Sequence, residues 1–234
     1  MKKFYDKKEL LFAILLIVAY CVIISPLKAN YGYASVEMLV GLTVFALGIY
    51  LFVSKYGLKE KYGLASWPKD CRRYLYFIPM WILCTGNIWG GFAFEHQGIK
   101  QLIAILSMIL VGFVEEMLFR GFLFRALLSK NSTTSSIIIT SLTFGIGHII
   151  NLFTGQASLE TIVQIFFAIA WGFIFTMVCY KSGSIIPCII AHSIIDVLAE
   201  CAVYNPTADW IYVISTIIVS ILYCTYLSKL KNSF

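Results

Sequence analysis

The sequence is short of charge. Only 13% of its 234 residues are Asp, Glu, Lys or Arg, against about 25% in a typical soluble domain. It also lacks long polar linkers, low-complexity tracts and internal repeats. These absences exclude a disordered chain, a soluble coiled coil and a nucleic-acid-binding domain. The seven cysteines form no CxxC pair and are odd in number. That excludes a disulfide framework and a thiolate zinc site, and leaves the cysteines as small buried hydrophobes. No HExxH occurs, so the helix of the common zinc peptidases is missing.

What remains is apolar. Hydrophobic residues make up 60% of the chain and aromatic residues 16%, more than a soluble fold of this size can hide. About 20 apolar residues cross a bilayer. Eight runs approach that length: 10–27, 36–54, 74–94, 101–128, 135–153, 161–180, 184–203 and 209–228. The expected fold is all-α, a polytopic membrane protein of about eight transmembrane helices forming one domain over 1–234. The first run follows Lys2, Lys3, Lys7 and Lys8, but no small-x-small cleavage site follows it, so it reads as an uncleaved helix. In the third run, Gly86 and Gly90 form a GxxxG pair suited to close helix approach.

The net charge of +6 is a matter of placement. With the N-terminus inside, the segments 1–9, 55–73, 129–134, 181–183 and 229–234 and their adjoining helix ends hold 16 of the 18 basic residues. Only Lys28 and Lys100 fall outside. This asymmetry predicts cytoplasmic N- and C-termini and an even helix count. The 55–73 segment carries six basic residues, including Lys69, Arg72 and Arg73, and is expected along an anionic leaflet.

The few charges inside the runs are the informative ones. Glu115, Glu116, Arg120, His148, His192 and Asp196 all lie within spanning segments. A carboxylate at the bilayer centre costs about 2.5–3.5 kcal/mol on insertion scales, so such groups meet each other, water or a metal. At about 100° per residue, Glu116 and Arg120 lie about 40° apart on one helix face, while Glu115 lies about 140° from Arg120. The pattern predicts a structural ion pair, Glu116 with Arg120, and a separate carboxylate, Glu115. Arg125 is expected as an interfacial anchor. Phe144 and His148 share a face at i,i+4, as do His192 and Asp196. Counted at about 1.5 Å per residue, Glu115 and His148 lie about 20 Å deep, Asp196 about 18 Å and His192 about 12 Å. One site is the expectation. His96, in an outer loop, stands apart from it.

These residues carry a family resemblance. Glu115-Glu116-Met117-Leu118-Phe119-Arg120 matches EExxxR, Phe144 to His148 matches FxxxH, and His192 to Asp196 matches HxxxN/D. In that order on separate helices they resemble the CPBP family, the CAAX prenyl protease 2-like and bacteriocin-processing intramembrane proteases. The matched core runs from about 104 to 201, inside an expected protease core of about 101–203. The resemblance implies an intramembrane endopeptidase acting on a peptide or membrane-protein substrate, in peptide or bacteriocin processing or self-immunity, and the Ile-, Lys- and Tyr-rich composition suggests a bacterial plasma membrane. It implies Glu115 as the base that activates water, with His148 holding that water or a metal. It implies His192 and Asp196 as metal ligands or oxyanion and orienting groups. Glu116, Arg120 and Phe144 would support the site. A divalent metal, zinc first, would fall to His148, His192 and Asp196. Better-known relatives carry Asn where this chain has Asp196. An ionised carboxylate cannot donate a hydrogen bond, so Asp196 suits ligation or orientation of His192 better than oxyanion binding. The competing readings are a non-catalytic immunity or envelope scaffold on the same fold, and a small transporter or proton relay. The last would predict matching halves, which the sequence lacks.

Overall fold

The computed structural model describes residues 1–65, 67–68 and 77–231. Cys71, Lys69, Arg72 and Arg73, and with them much of the basic 55–73 segment, lie outside the described residues. The rest is helical, and among the described residues there is no strand beyond one isolated bridge, Phe92 to Ala202. A short α1 (Lys2–Lys7) leads into α2 (Glu9–Tyr31) and α3 (Val36–Lys55). A 7-residue α4 (Ile78–Cys84) and a 3₁₀ turn at Gly86–Ile88 follow. Then comes one long helix, α5 (Ile99–Glu116), a π-helical stretch Met117–Leu123, and α6 (Phe124–Leu128). α7 (Thr133–Gly147) tightens into a 3₁₀ helix at His148–Thr154. α8 (Ser158–Ser182), α9 (Ile186–Ala199) and α10 (Pro206–Lys229) complete the bundle.

The helix starts follow from the sequence. Ser35, Ser132 and Asn205 each accept a backbone N–H of the first turn at 3.2 Å, and Pro206 sits first in α10, where its missing N–H costs nothing. α8 stops at Gly183, whose φ of 70° is the left-handed conformation a helix end favours.

Six helices are long and apolar enough to cross a membrane: Glu9–Tyr31, Val36–Lys55, Ile99–Leu128, Thr133–Phe153, Ser158–Ser182 and Pro206–Lys229. They coincide with six of the eight expected runs. The seventh run forms the 14-residue α9, and the third is described only from Phe77, where it is α4 and its 3₁₀ turn. On α2, α3 and α10 the large apolar side chains Val22, Val44, Leu51, Ile221 and Leu222 stay exposed. So much outward apolar surface belongs against lipid rather than water.

Polar contacts link four of the five expected cytoplasmic segments, 1–9 to 55–73, 55–73 to the turn after 181–183, and 181–183 to 229–234. Lys61 Nζ donates to Tyr5 Oη at 2.8 Å and to Glu9 Oε1 at 2.5 Å. Gly63 O accepts from Ile185 N in the α8–α9 turn, and Lys181 Nζ donates to Leu230 O beyond α10. At the opposite end of α9 the 91–95 segment pairs with 200–203. Two close approaches set the interior. A Cβ on Gly112 would lie 2.8 Å from Ser193 N, so glycine lets α5 meet α9. A Cβ on Gly86 would fall 2.0 Å from the Tyr212 ring, so the expected glycine approach is made, to α10, from a 3₁₀ turn.

Candidate active site

Helix periodicity places Glu115 and Glu116 on different faces, and they lead different lives. Glu116 points into the protein and is fully buried, as is Arg120. Arg120 Nη1 donates to Glu116 Oε1 at 2.8 Å, which is the expected ion pair. Arg120 also donates to Gly172 O at 3.3 Å and lies 4.3 Å from the centroid of the Phe144 ring. Phe144 is therefore a packing wall, with the guanidinium on it and the rings of His148 and His192 set edge-on at 5.4 and 5.7 Å. Arg125, expected at the interface, is half-buried.

Glu116 does more than neutralise Arg120. Its Oε1 also accepts from His192 Nδ1 at 2.9 Å. A carboxylate only accepts, so this bond fixes the proton on Nδ1 and turns Nε2 outward. Nε2 then lies 3.4 Å from Asp196 Oδ2 and 3.9 Å from Glu115 Oε2. Phe175 stacks on the imidazole at 5.6 Å. His148 is fixed in the same manner, since its Nδ1 bonds Phe144 O at 3.0 Å and Nε2 is left for other partners.

Glu115, His148, His192 and Asp196 line one cavity of about 360 Å³, within the range of small-molecule sites. Residues from the apolar N-terminal third complete it. Tyr20 Oη donates to Glu115 Oε1 at 3.0 Å. Lys28 Nζ donates to Asn151 Oδ1 at 3.1 Å, and Asn151 Nδ2 donates to Gln164 Oε1 at 2.7 Å. All four line the cavity. None stands out in the sequence as a site residue, although Asn151 and Gln164 are amides within apolar runs and Lys28 is one of two basic residues on its side.

The metal expectation fares differently. His148, His192 and Asp196 share the cavity, yet among the described residues the one group of three or more His, Cys, Asp or Glu whose ligand atoms all come within 4.8 Å of one another is Glu95, His96 and Glu200. The expected trio does not converge as a three-ligand centre needs.

What the arrangement can do is hydrolytic. It has a carboxylate held by a phenol, two imidazoles of fixed orientation and a second carboxylate, all facing one cavity. One comparison agrees in kind. Residues 97–198 match the family described as type II CAAX prenyl endopeptidase Rce1-like. That span contains all three motifs. No curated protein and no solved structure matches the chain.

Proposed function

We propose that the chain is an intramembrane endopeptidase that hydrolyses a peptide bond with a water activated by Glu115. Support comes above all from one observation: the side chains of all three motifs, carried on separate helices, face a single cavity while the Glu116–Arg120 pair stands behind it. In the proposed reaction the carbonyl carbon of the substrate meets a water between Glu115 and His148. His148 Nε2 accepts a hydrogen bond from that water and orients it, and that hydrogen stays on the oxygen. Glu115 takes the other as the oxygen attacks, giving a tetrahedral intermediate. His192, backed by Glu116 and flanked by Asp196, faces the developing negative charge, and an imidazolium there stabilises it. Glu115 then returns its proton to the leaving amine, the C–N bond breaks, and the enzyme is regenerated. Tyr20 holds Glu115 in place throughout.

The substrate class follows from the family. C-terminally prenylated peptides and small membrane-associated peptides are the first candidates, with bacteriocin processing or self-immunity as biological roles. The charge asymmetry supports cytoplasmic N- and C-termini, and a bacterial plasma membrane is the proposed location. The test is purified protein in lipid nanodiscs, incubated with synthetic prenylated and unprenylated peptides and read by mass spectrometry. Wild type is expected to cleave. Glu115→Gln is expected to lose about 10²-fold or more of the rate, the usual contribution of a general base. Equal cleavage by both proteins refutes the role of Glu115. A Glu115→Gln strain with an intact immunity phenotype points instead to a scaffold.

A further inference from the structure

A second cluster of ligating side chains lies away from the hydrolytic groups, at the end of the bundle where the 91–95 segment pairs with 200–203. Glu95, His96 and Glu200 each bring one ligand atom to within 4.8 Å of the others. His96 Nε2 stands 3.5 Å from Glu200 Oε2. That is longer than the roughly 2.7–3.2 Å of an N–H···O hydrogen bond. It matches the edge of a tetrahedral zinc site, about 3.4 Å for bonds of about 2.0–2.1 Å. The geometry points to a divalent transition-metal site, with zinc the best fit, formed by Glu95, His96 and Glu200 at the rim of the cavity.

The protein builds this site from its backbone. Glu95 N donates to Glu200 O at 3.3 Å, Ala93 N to Cys201 O at 3.0 Å and Val203 N to Gly91 O at 3.2 Å. Gln101, near the start of α5, clamps both sides. Its Oε1 accepts from His96 N at 2.9 Å and its Nε2 donates to Glu200 O at 3.1 Å. Three segments are thus fixed without help from an ion, so the donors are pre-organised. The donor set selects the ion. One imidazole and two carboxylates suit zinc with a water in the fourth position, whereas calcium and magnesium prefer oxygen alone. Glu200 also lines the cavity and lies one turn beyond Asp196. A bound ion therefore ties the outer segment to the end of the helix that carries His192 and Asp196. None of the three ligands serves in the proposed hydrolysis, so the site stands whether or not the chain is a protease.

The test uses the full chain in nanodiscs, titrated with zinc chloride against a fluorescent zinc chelator. Wild type is expected to bind zinc in the micromolar range or tighter. The double variant Glu95→Gln/His96→Gln is expected to bind one equivalent fewer. It keeps the backbone pairing, so its thermal unfolding in EDTA should match wild type. His192→Gln is expected to keep the equivalent, which separates this site from any ion in the catalytic cavity. No zinc bound by wild type at micromolar concentrations, or unchanged stoichiometry in the double variant, overturns the assignment.

Discussion

Arg120→Met tests the interior logic of the site most sharply. Arg120 is fully buried and is the cationic partner of Glu116, at 2.8 Å. Methionine fills much of the same volume but removes the charge. Glu116 then keeps only the imidazole bond from His192, at 2.9 Å, and a carboxylate sits in the core with no guanidinium. Breaking one partner of a buried pair costs about 3–5 kcal/mol, because the remaining charge is left uncompensated. The bond to Gly172 O goes too, at about 0.5–1.5 kcal/mol, so the stranded carboxylate dominates the loss. Replacing both partners, Glu116→Leu/Arg120→Met, removes the stranded charge as well. The double variant is therefore expected to be more stable than Arg120→Met alone, although it carries one more substitution. Its activity is expected to stay low, since leucine cannot accept from His192 Nδ1 and the imidazole loses its orientation. Unfolding of wild type, Arg120→Met and the double variant by denaturant in a mild detergent gives the order of stability, and peptide cleavage in nanodiscs gives the activity. If Arg120→Met costs less than about 1 kcal/mol, the value typical of an exposed pair, or if the double variant is the least stable, the claim that a buried, desolvated pair supports His192 is wrong.

Two further outcomes follow from single contacts. Tyr20→Phe keeps the ring that packs against Phe45 at 5.5 Å but removes the donor to Glu115. It is expected to lower kcat by about tenfold or more, the worth of a hydrogen bond to a charged group, with KM unchanged. An unaltered kcat in steady-state cleavage assays rules out a positioning role for Tyr20. Gly112→Val puts a branched side chain where even a Cβ would lie 2.8 Å from Ser193 N. It is expected to destabilise the protein by about 1–3 kcal/mol, the usual cost of overpacking, and to lower the unfolding temperature in detergent. A neutral effect means that α5 and α9 do not pack as described.

How far the sequence reaches depends on the kind of signal. Charge inside an apolar run is conspicuous, and helix periodicity acts on it directly. Hence the sequence alone matches Glu116 to Arg120, sets Glu115 apart and assigns the three motifs to one site. Periodicity does not report what a neutral polar group on a distant helix will touch. Tyr20 reads as one more aromatic in an apolar run, and its bond to Glu115 spans 95 residues. Lys28 reads as a loop charge until α2 is seen to continue to Tyr31. The second role of Glu116 is hidden for the same reason, since His192 lies on α9, 76 residues away. Run length also misjudges what makes a helix. The run from 101 to 128 is a single rod containing a π stretch. The run from 135 to 153 changes its winding at His148, where α7 gives way to a 3₁₀ helix.

That π stretch, Met117–Leu123, bears on insertions and deletions rather than on point changes. A π turn inside an α-helix amounts to one extra residue accommodated as a bulge. Deleting Gly121 or Phe122 lets the backbone relax to ordinary α winding, so the residues before and after the bulge keep their phase. Deleting one residue between Ile105 and Val111 has no such slack to draw on. Glu115 and Glu116 would then turn together by about 100° and slide by about 1.5 Å relative to the start of their helix. Glu115 would leave the cavity, and its neighbour would leave Arg120. The same rod thus holds a place where its length is negotiable and, earlier along it, a stretch where it is not.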